Sequence, residues 1–197
     1  MDDGVTKYRY NWIKTDPLDA DELAPLIEAR QRCYDAGYIG LYPDGVGYGN
    51  ISMRSEEGFI ISGTQTGGIT ELGSEGFCEV VETNIEQNSL ICRGPVAASS
   101  EALTHAALYR LDHEIGGVIH IHNREMWERL MNTVPTTLTE VPYGTPEMAW
   151  EIERLWRESN LPEEKIVVMA GHPEGIIWFG KDLEEIVDAR LKKIMDC

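Results

Sequence analysis

The run Gly117-Val118-Ile119-His120-Ile121-His122 constrains this chain more than any other segment. It is apolar and rich in β-branched residues, so it reads as a buried strand. Residues two apart on a strand share a face. His120 and His122 therefore project side by side from one stiff element, an arrangement that suits a metal ion. The same pattern also fits two unrelated polar side chains at a strand end. Two distant features bear on that choice: Ser99-Ser100-Glu101 opens a helix, and His172 follows a second apolar run, Lys165 to Ala170.

The 197 residues suffice for one domain with a sizeable core, and we read residues 1–197 as one domain. Residues 1–18 read as an irregular N-terminal arm. No apolar stretch approaches the roughly 20 residues that span a bilayer. The acidic start, Met1-Asp2-Asp3-Gly4, has no apolar core of the kind a secretory leader carries. Cys33, Cys78, Cys92 and Cys197 are scattered, with no C-x-x-C pair, as expected of reduced thiols in a cytoplasmic protein. A formal net charge of −17 argues against nucleic acid or an anionic membrane as partner. An anionic small molecule stays compatible with it, because a bound metal and a helix N-terminus outweigh a diffuse field locally.

Periodicity predicts a helix from about Asp19 to Ala36, then a glycine-rich loop at Gly45 to Gly49 leading into a strand Asn50 to Arg54. Further strands are expected at Gly58 to Ser62, Cys78 to Glu82, Ser89 to Cys92, Lys165 to Ala170 and Gly175 to Phe179. Helices are expected at Ser100 to Leu111, Arg124 to Met131, Pro146 to Ser159 and from Asp182 onward. The last helix carries Leu183, Ile186, Val187, Leu191 and Ile194 on one face, with Asp182 and Glu185 spaced as a capping box. Strands in succession with helices, but no regular βαβ alternation, indicate an α/β fold with a mostly antiparallel sheet covered by helices. A cupin also uses His-x-His, but it would be almost all strand.

Taken singly, the other polar signals have simple readings. Glu101 falls in the first turn of its helix, where a carboxylate suits the helix dipole, and His105 lies one turn further on the same face. Ser99 and Ser100 serve as helix caps, and Asn50 as a turn residue. The same helix start also suits an anion.

Together the signals resemble a known family. Gly49-Asn50-Ile51-Ser52-Met53-Arg54, then Ile61 to Gly67, then Ser99-Ser100-Glu101 with His105 and Tyr109, then Val118 to His122, then His172 before Gly175 is similar in order to the class II aldolase/adducin family. Fuculose-phosphate aldolase is its best-known type. The likeness runs from about Leu23 to Leu191. It implies a three-layer α/β/α domain with a central, mostly antiparallel sheet, in a homotetramer with sites at subunit interfaces. It implies a divalent metal, commonly Zn²⁺, on His120, His122 and His172. Glu101 corresponds to the family glutamate, which binds the metal or moves a proton. Asn50, Thr64, Thr66, Gly67, Ser99 and Ser100 correspond to its phosphate-binding residues. The implied activity is that of a lyase working by metal-stabilised enediolate chemistry on a small sugar phosphate or hydroxy-carbonyl compound. Epimerases and methylthioribulose-phosphate-type dehydratases use the same kind of site, and adducin heads use the fold without catalysis.

The chain departs from that pattern in two places that matter here. The family's third histidine stands directly before a glycine, whereas His172-Pro173-Glu174-Gly175 interposes two residues. Alignment on Gly175 puts Glu174 at the ligand position, while a strand ending at Ala170-Gly171 delivers His172. We expect His172. The Thr-Gly of the first phosphate loop is lengthened to Thr64-Gln65-Thr66-Gly67.

Overall fold

The computed structural model describes residues 7–195, with side chains through Leu191. Its centre is an eight-stranded sheet built on the segment that the two histidines occupy. β8 (Gly117–His122) lies between β4 (Asn50–Arg54) and β10 (Gly175–Gly180), antiparallel to both. Outward from β4 come β5 (Phe59–Ser62), β6 (Phe77–Asn84) and β7 (Ser89–Gly94), each antiparallel to its neighbour. Beyond β10 lies β9 (Ile166–Val168), also antiparallel. The far edge is β1 (Arg9–Lys14), which joins β7 in parallel. A two-stranded ribbon, β2 (Gly40–Leu41) with β3 (Gly47–Tyr48), stands apart from the main sheet.

β1 corrects the expectation of an irregular arm. Its side chains are all exposed, so no buried alternation marks it in the sequence. The backbone ladder to β7 and the bond from Trp12 Nε1 to the Gly94 carbonyl, 2.9 Å, hold it in place. The first helix, α1 (Ala24–Asp35), also starts later than periodicity suggests. Pro25 sits in its opening turn, where its missing N–H costs nothing. The Asp19 carboxylate accepts instead from the amide of Asp21, making a turn just before it.

The remaining helices are α2 (Ala102–Leu111), α3 (Arg124–Leu130), α4 (Pro146–Glu158), the single turn α5 (Leu161–Glu164) and α6 (Leu183–Met195). The amide of Glu185 donates to the Asp182 carboxylate, 2.8 Å, so Asp182 caps α6 as its spacing foretold. The placing of Ile194 on its apolar face lies outside the described side chains.

Strand alternation divides the core in two. Val118 and Ile177 pack with Leu103, Ala106 and Ala107 of α2 and Met148, Ile152 and Leu155 of α4. Ile119, Ile121, Ile176 and Trp178 point the other way, against Leu26 and Cys33 of α1 and Leu183, Ile186 and Val187 of α6. Helices thus cover both faces of a mostly antiparallel sheet. This is the α/β/α arrangement expected from the sequence, and the six helices among the described residues exclude a cupin. Trp178 is the largest fully buried side chain, set edge-on to Tyr38 with ring centroids 5.6 Å apart. Trp178→Ala should therefore lower unfolding free energy by about 3–5 kcal/mol. Urea denaturation checks this, and a loss below about 1 kcal/mol would mean that layer is not close-packed.

Candidate metal centre and adjoining cleft

Alternation puts His120 and His122 on the α2 side of the sheet, together with Asn50 and Ser52 of β4. Asn50 lies directly opposite His120 across the ladder, and Gly175 lies opposite His122. That glycine is a spatial requirement. A Cβ there would fall 2.6 Å from Cδ2 of His172 and 3.1 Å from Nε2 of His120. Its hydrogen leaves the room into which the third imidazole folds.

The connection between β9 and β10 delivers that imidazole. The amide of His172 donates to the Met169 carbonyl, 3.0 Å, and the amide of Gly175 to the His172 carbonyl, 2.9 Å. The turn is closed through a left-handed Glu174 (φ 72°). His172 is thereby turned inward, and its Nε2 lies 3.0 Å from Nε2 of His122. One nitrogen from each of His120, His122 and His172 lies within 4.8 Å of the others, in a buried group that can hold a metal ion. Glu174 faces away from it, its carboxylate bonded to Tyr42 and Arg124. Of the two candidates that alignment left open, the geometry brings His172 into the cluster.

Burial pushes all three imidazoles below their ordinary pKa. His122 is pushed down to about 4, with the Glu174 charge acting weakly in the opposite sense. His120 and His172 lie well below the usual range, each lowered further by its neighbours' charge. At neutral pH the three are uncharged, the state in which imidazole ligates a metal.

The other sequence candidates come to the same cleft. Asn50, Thr64, Thr66, Gly67, Ser99, Ser100 and Glu101 line it with the histidines, joined by Tyr48 and Tyr143. Glu101 is not a solvated helix-terminal charge. It occupies the cap position of α2, is 3% exposed, and accepts from the Thr104 hydroxyl at 3.1 Å. Ser99 accepts from the Glu101 amide at a long 3.4 Å. The Thr66 hydroxyl donates to the Gly63 carbonyl, 2.8 Å, so its proton is already engaged within the turn.

Several residues around the site escape local sequence reading. Arg30, 1% exposed on α1, donates to the carbonyls of Thr66 and Gly67 and shapes the lengthened loop. Tyr143 stacks on His172, centroids 4.2 Å apart, and Lys7 lies 3.6 Å over the Tyr143 ring. The Tyr8 hydroxyl donates towards the carbonyls of Ala98 and Ser99, securing the N-terminal segment beside the loop that carries Ser99 and Ser100. The Tyr8 contacts span 90 and 91 residues and those of Arg30 span 36 and 37, so no local pattern announces them.

His105 stands behind the cleft. Its Nδ1 meets the Ser52 hydroxyl at 2.7 Å, and Ser52 meets Tyr109 at 2.8 Å. Complete burial pushes its pKa down to about 3. A group that refuses a proton when folded but accepts one near 6.5 when unfolded destabilises the fold as pH drops through that interval. His105 should thus lower stability by on the order of 1 kcal/mol per pH unit as pH falls below about 6.5. NMR titration of the folded protein should show its ring neutral down to pH 4.5. A midpoint near 6.5 would contradict the burial argument.

Residues 43–191 match the family described as the class II aldolase and adducin N-terminal domain. The chain belongs to the class II aldolase/adducin family. Solved structures agree on the fold. Fuculose-1-phosphate aldolase from Thermus thermophilus aligns over 90% of this chain and 96% of its own, with TM-score 0.61 and 19% identity. The sugar-phosphate aldolase from Thermotoga maritima covers 85% and 88%, with TM-score 0.62 and 16% identity. YgbL from Escherichia coli, described as a candidate aldolase/epimerase/decarboxylase, covers 86% and 83%, with TM-score 0.62 and 16% identity. No curated protein matches the chain in sequence.

The residues fit the divalent metal that this family implies. Nε2 of His120 is buried and has no hydrogen-bond partner. Its Nδ1 lies 3.2 Å from the Asn50 amide, whose Oδ1 is likewise unpartnered. A cation on Nε2 requires the proton on Nδ1. Turning the amide over would pair that N–H with Oδ1. An ion on Nε2 would thus account for the orphaned nitrogen of His120. Three neutral imidazoles match the donor set of zinc and similar divalent ions.

Proposed function

We propose that this family member is a metal-dependent lyase acting on a small sugar phosphate or related hydroxy-carbonyl compound. The observation that carries the reading is the convergence of three buried, neutral histidines on a cleft that also holds a buried carboxylate, Glu101. His120, His122 and His172 would hold the ion, zinc or another divalent metal. When bound, it supplies Lewis acidity, stabilising negative charge on a carbonyl and an adjacent oxygen of the substrate.

The chain's own residues supply the rest. Glu101 moves the proton, since among the described residues it is the one carboxylate lining the cleft and is held there by Thr104. Ser99, Ser100, Asn50 and the turn at Thr64 to Gly67 bind the anionic end of the substrate, where hydroxyls and a helix start converge. In that turn Thr64 contributes its hydroxyl and Gly67 its backbone, whereas Thr66 is spent on Gly63. The aromatic wall of Tyr48 and Tyr143 limits access of water.

We place this activity in the cytoplasm and in a homotetramer. Among the described residues no helix is long and apolar enough to cross a membrane. Light scattering on the purified protein checks the assembly.

The reaction is tested by assaying metal-loaded protein for aldol cleavage, epimerisation and dehydration against sugar phosphates and their free sugars. Cleavage of a phosphorylated ketose, abolished by chelator and restored by metal, is the expected result. Turnover in a different column of that panel would keep the site and change the reaction. No turnover and no metal uptake would leave a non-catalytic interaction module. Ser100→Ala should raise KM for the phosphorylated substrate more than for its free sugar. An equal effect on both would return Ser100 to helix capping alone.

A further inference from the structure

Tyr42 lies at the end of the β2–β3 ribbon, behind His122 as seen from the cleft. Its hydroxyl oxygen is 2.8 Å from Nδ1 of His122 and 2.7 Å from Oε2 of Glu174. The opposite carboxylate oxygen of Glu174 is held by the Arg124 guanidinium, with Nε at 3.0 Å and Nη2 at 2.9 Å. Arginine has only donors, and a carboxylate paired with it has only acceptors. The single proton of the Tyr42 hydroxyl therefore points to Glu174. What remains toward His122 is a lone pair, so Nδ1 of His122 must be the donor. A neutral imidazole has one N–H, and Nε2 is left with its lone pair, facing Nε2 of His172 within the histidine cluster.

Two further observations show that this chain of contacts is built rather than incidental. Glu174 adopts φ 72°, a left-handed conformation that a glutamate rarely takes. Its carbonyl accepts from the Asn123 amide at 3.0 Å, which ties the strained residue to the end of β8. Tyr42 is fixed from its own side, since its amide donates to the Val46 carbonyl at 2.8 Å and its ring leans on Tyr48, centroids 4.5 Å apart. Strain kept in place by surrounding bonds is a mark of a positioned group.

We infer that Tyr42 and Glu174, with Arg124 behind them, are positioning residues that lock His122 in its Nδ1–H tautomer and so present Nε2 as a metal ligand. The inference rests on the metal reading above for its purpose, though not for its geometry. It gives Glu174 a role distinct from ligation: it does not replace His172 but stands behind His122, one step removed through Tyr42. Partners of this kind fix the ring and raise its basicity, and their loss typically costs 10–100-fold in metal affinity.

The test uses two variants and two readouts. Tyr42→Phe keeps the ring and removes the hydroxyl. Glu174→Gln keeps the size but offers Tyr42 a donor, which lets the hydroxyl reverse and give its proton to His122. The tautomer is read directly from long-range ¹H–¹⁵N couplings of the His122 ring in metal-free protein at pH 7.5. Zinc affinity is read by competition with a chromogenic chelator. In the wild type His122 should be the Nδ1–H tautomer, and each variant should shift it toward Nε2–H and weaken zinc 10–100-fold. Where Tyr42→Phe fails to fold, Glu174→Gln carries the same comparison at a partly exposed side chain. A wild-type His122 protonated on Nε2, or a tautomer unmoved in both variants, overturns the inference. Failure of the metal reading looks different: wild-type protein would show the Nδ1–H signal and take up no zinc.

Discussion

His120→Ala is expected to cost at least 10³-fold in zinc affinity while leaving the protein folded. A three-imidazole site reduced to two loses a ligand and a large part of its charge-stabilising donor set. The fold does not depend on that ring, because β8 is held by its ladders to β4 and β10 and by Val118, Ile119 and Ile121 in the two core layers. Removing a buried, partly unsatisfied imidazole even relieves the orphaned Nε2. Chelator competition measures the affinity, and circular dichroism with a urea titration checks the fold. His172→Ala should behave in the same way. Glu174→Ala should lose far less, about 10–100-fold, since it removes only support behind His122. Equal losses for His172→Ala and Glu174→Ala would remove the distinction between ligand and positioning residue.

Glu101→Gln is expected to cut turnover by about 10²–10⁴-fold with metal content unchanged. The amide keeps the volume and still accepts from the Thr104 hydroxyl, so the side chain stays anchored at the start of α2. What it cannot do is exchange a proton. Steady-state kinetics with metal quantified in the same sample separates the two effects. Full turnover would make Glu101 a structural cap. A parallel loss of metal would make it a ligand rather than the proton carrier.

Gly117 to His122 was legible because it is buried throughout and carries an apolar, β-branched run, whereas Asn50 to Arg54 was read from the alternation of Ile51 and Met53 with polar residues after a glycine-rich loop. Asn50 to Arg54 and Gly117 to His122 form the strands the sequence implies, to the residue. β1 was not legible, because an exposed edge strand has no core face and is held by its backbone ladder and by the Trp12 bond to a residue 82 positions away. The start of α1 was read early because the acidic turn at Asp19 to Glu22 resembles a first helical turn, and Pro25 then sets the true one.

In the site, period-two spacing was enough to pair His120 with His122. His172 was reachable only by resemblance and by the argument that its strand ends at the right place. The surroundings were not reachable at all. Tyr42 meets partners 80 and 132 residues away, and Arg30 reaches a loop some 36 residues on. Glu174 carried a signal of its own, an inserted Pro-Glu before Gly175, but the sequence could offer it only as a rival ligand. Its left-handed backbone and its bond to Tyr42 exist only once the sheet has formed.

Diffraction at the zinc absorption edge, on crystals grown with zinc, tests the central claim most directly. The account predicts one anomalous peak per subunit, about 2.0–2.1 Å from a nitrogen of each of His120, His122 and His172. A peak bound by Glu174 with His172 turned to solvent, or no peak at the three histidines, would contradict it.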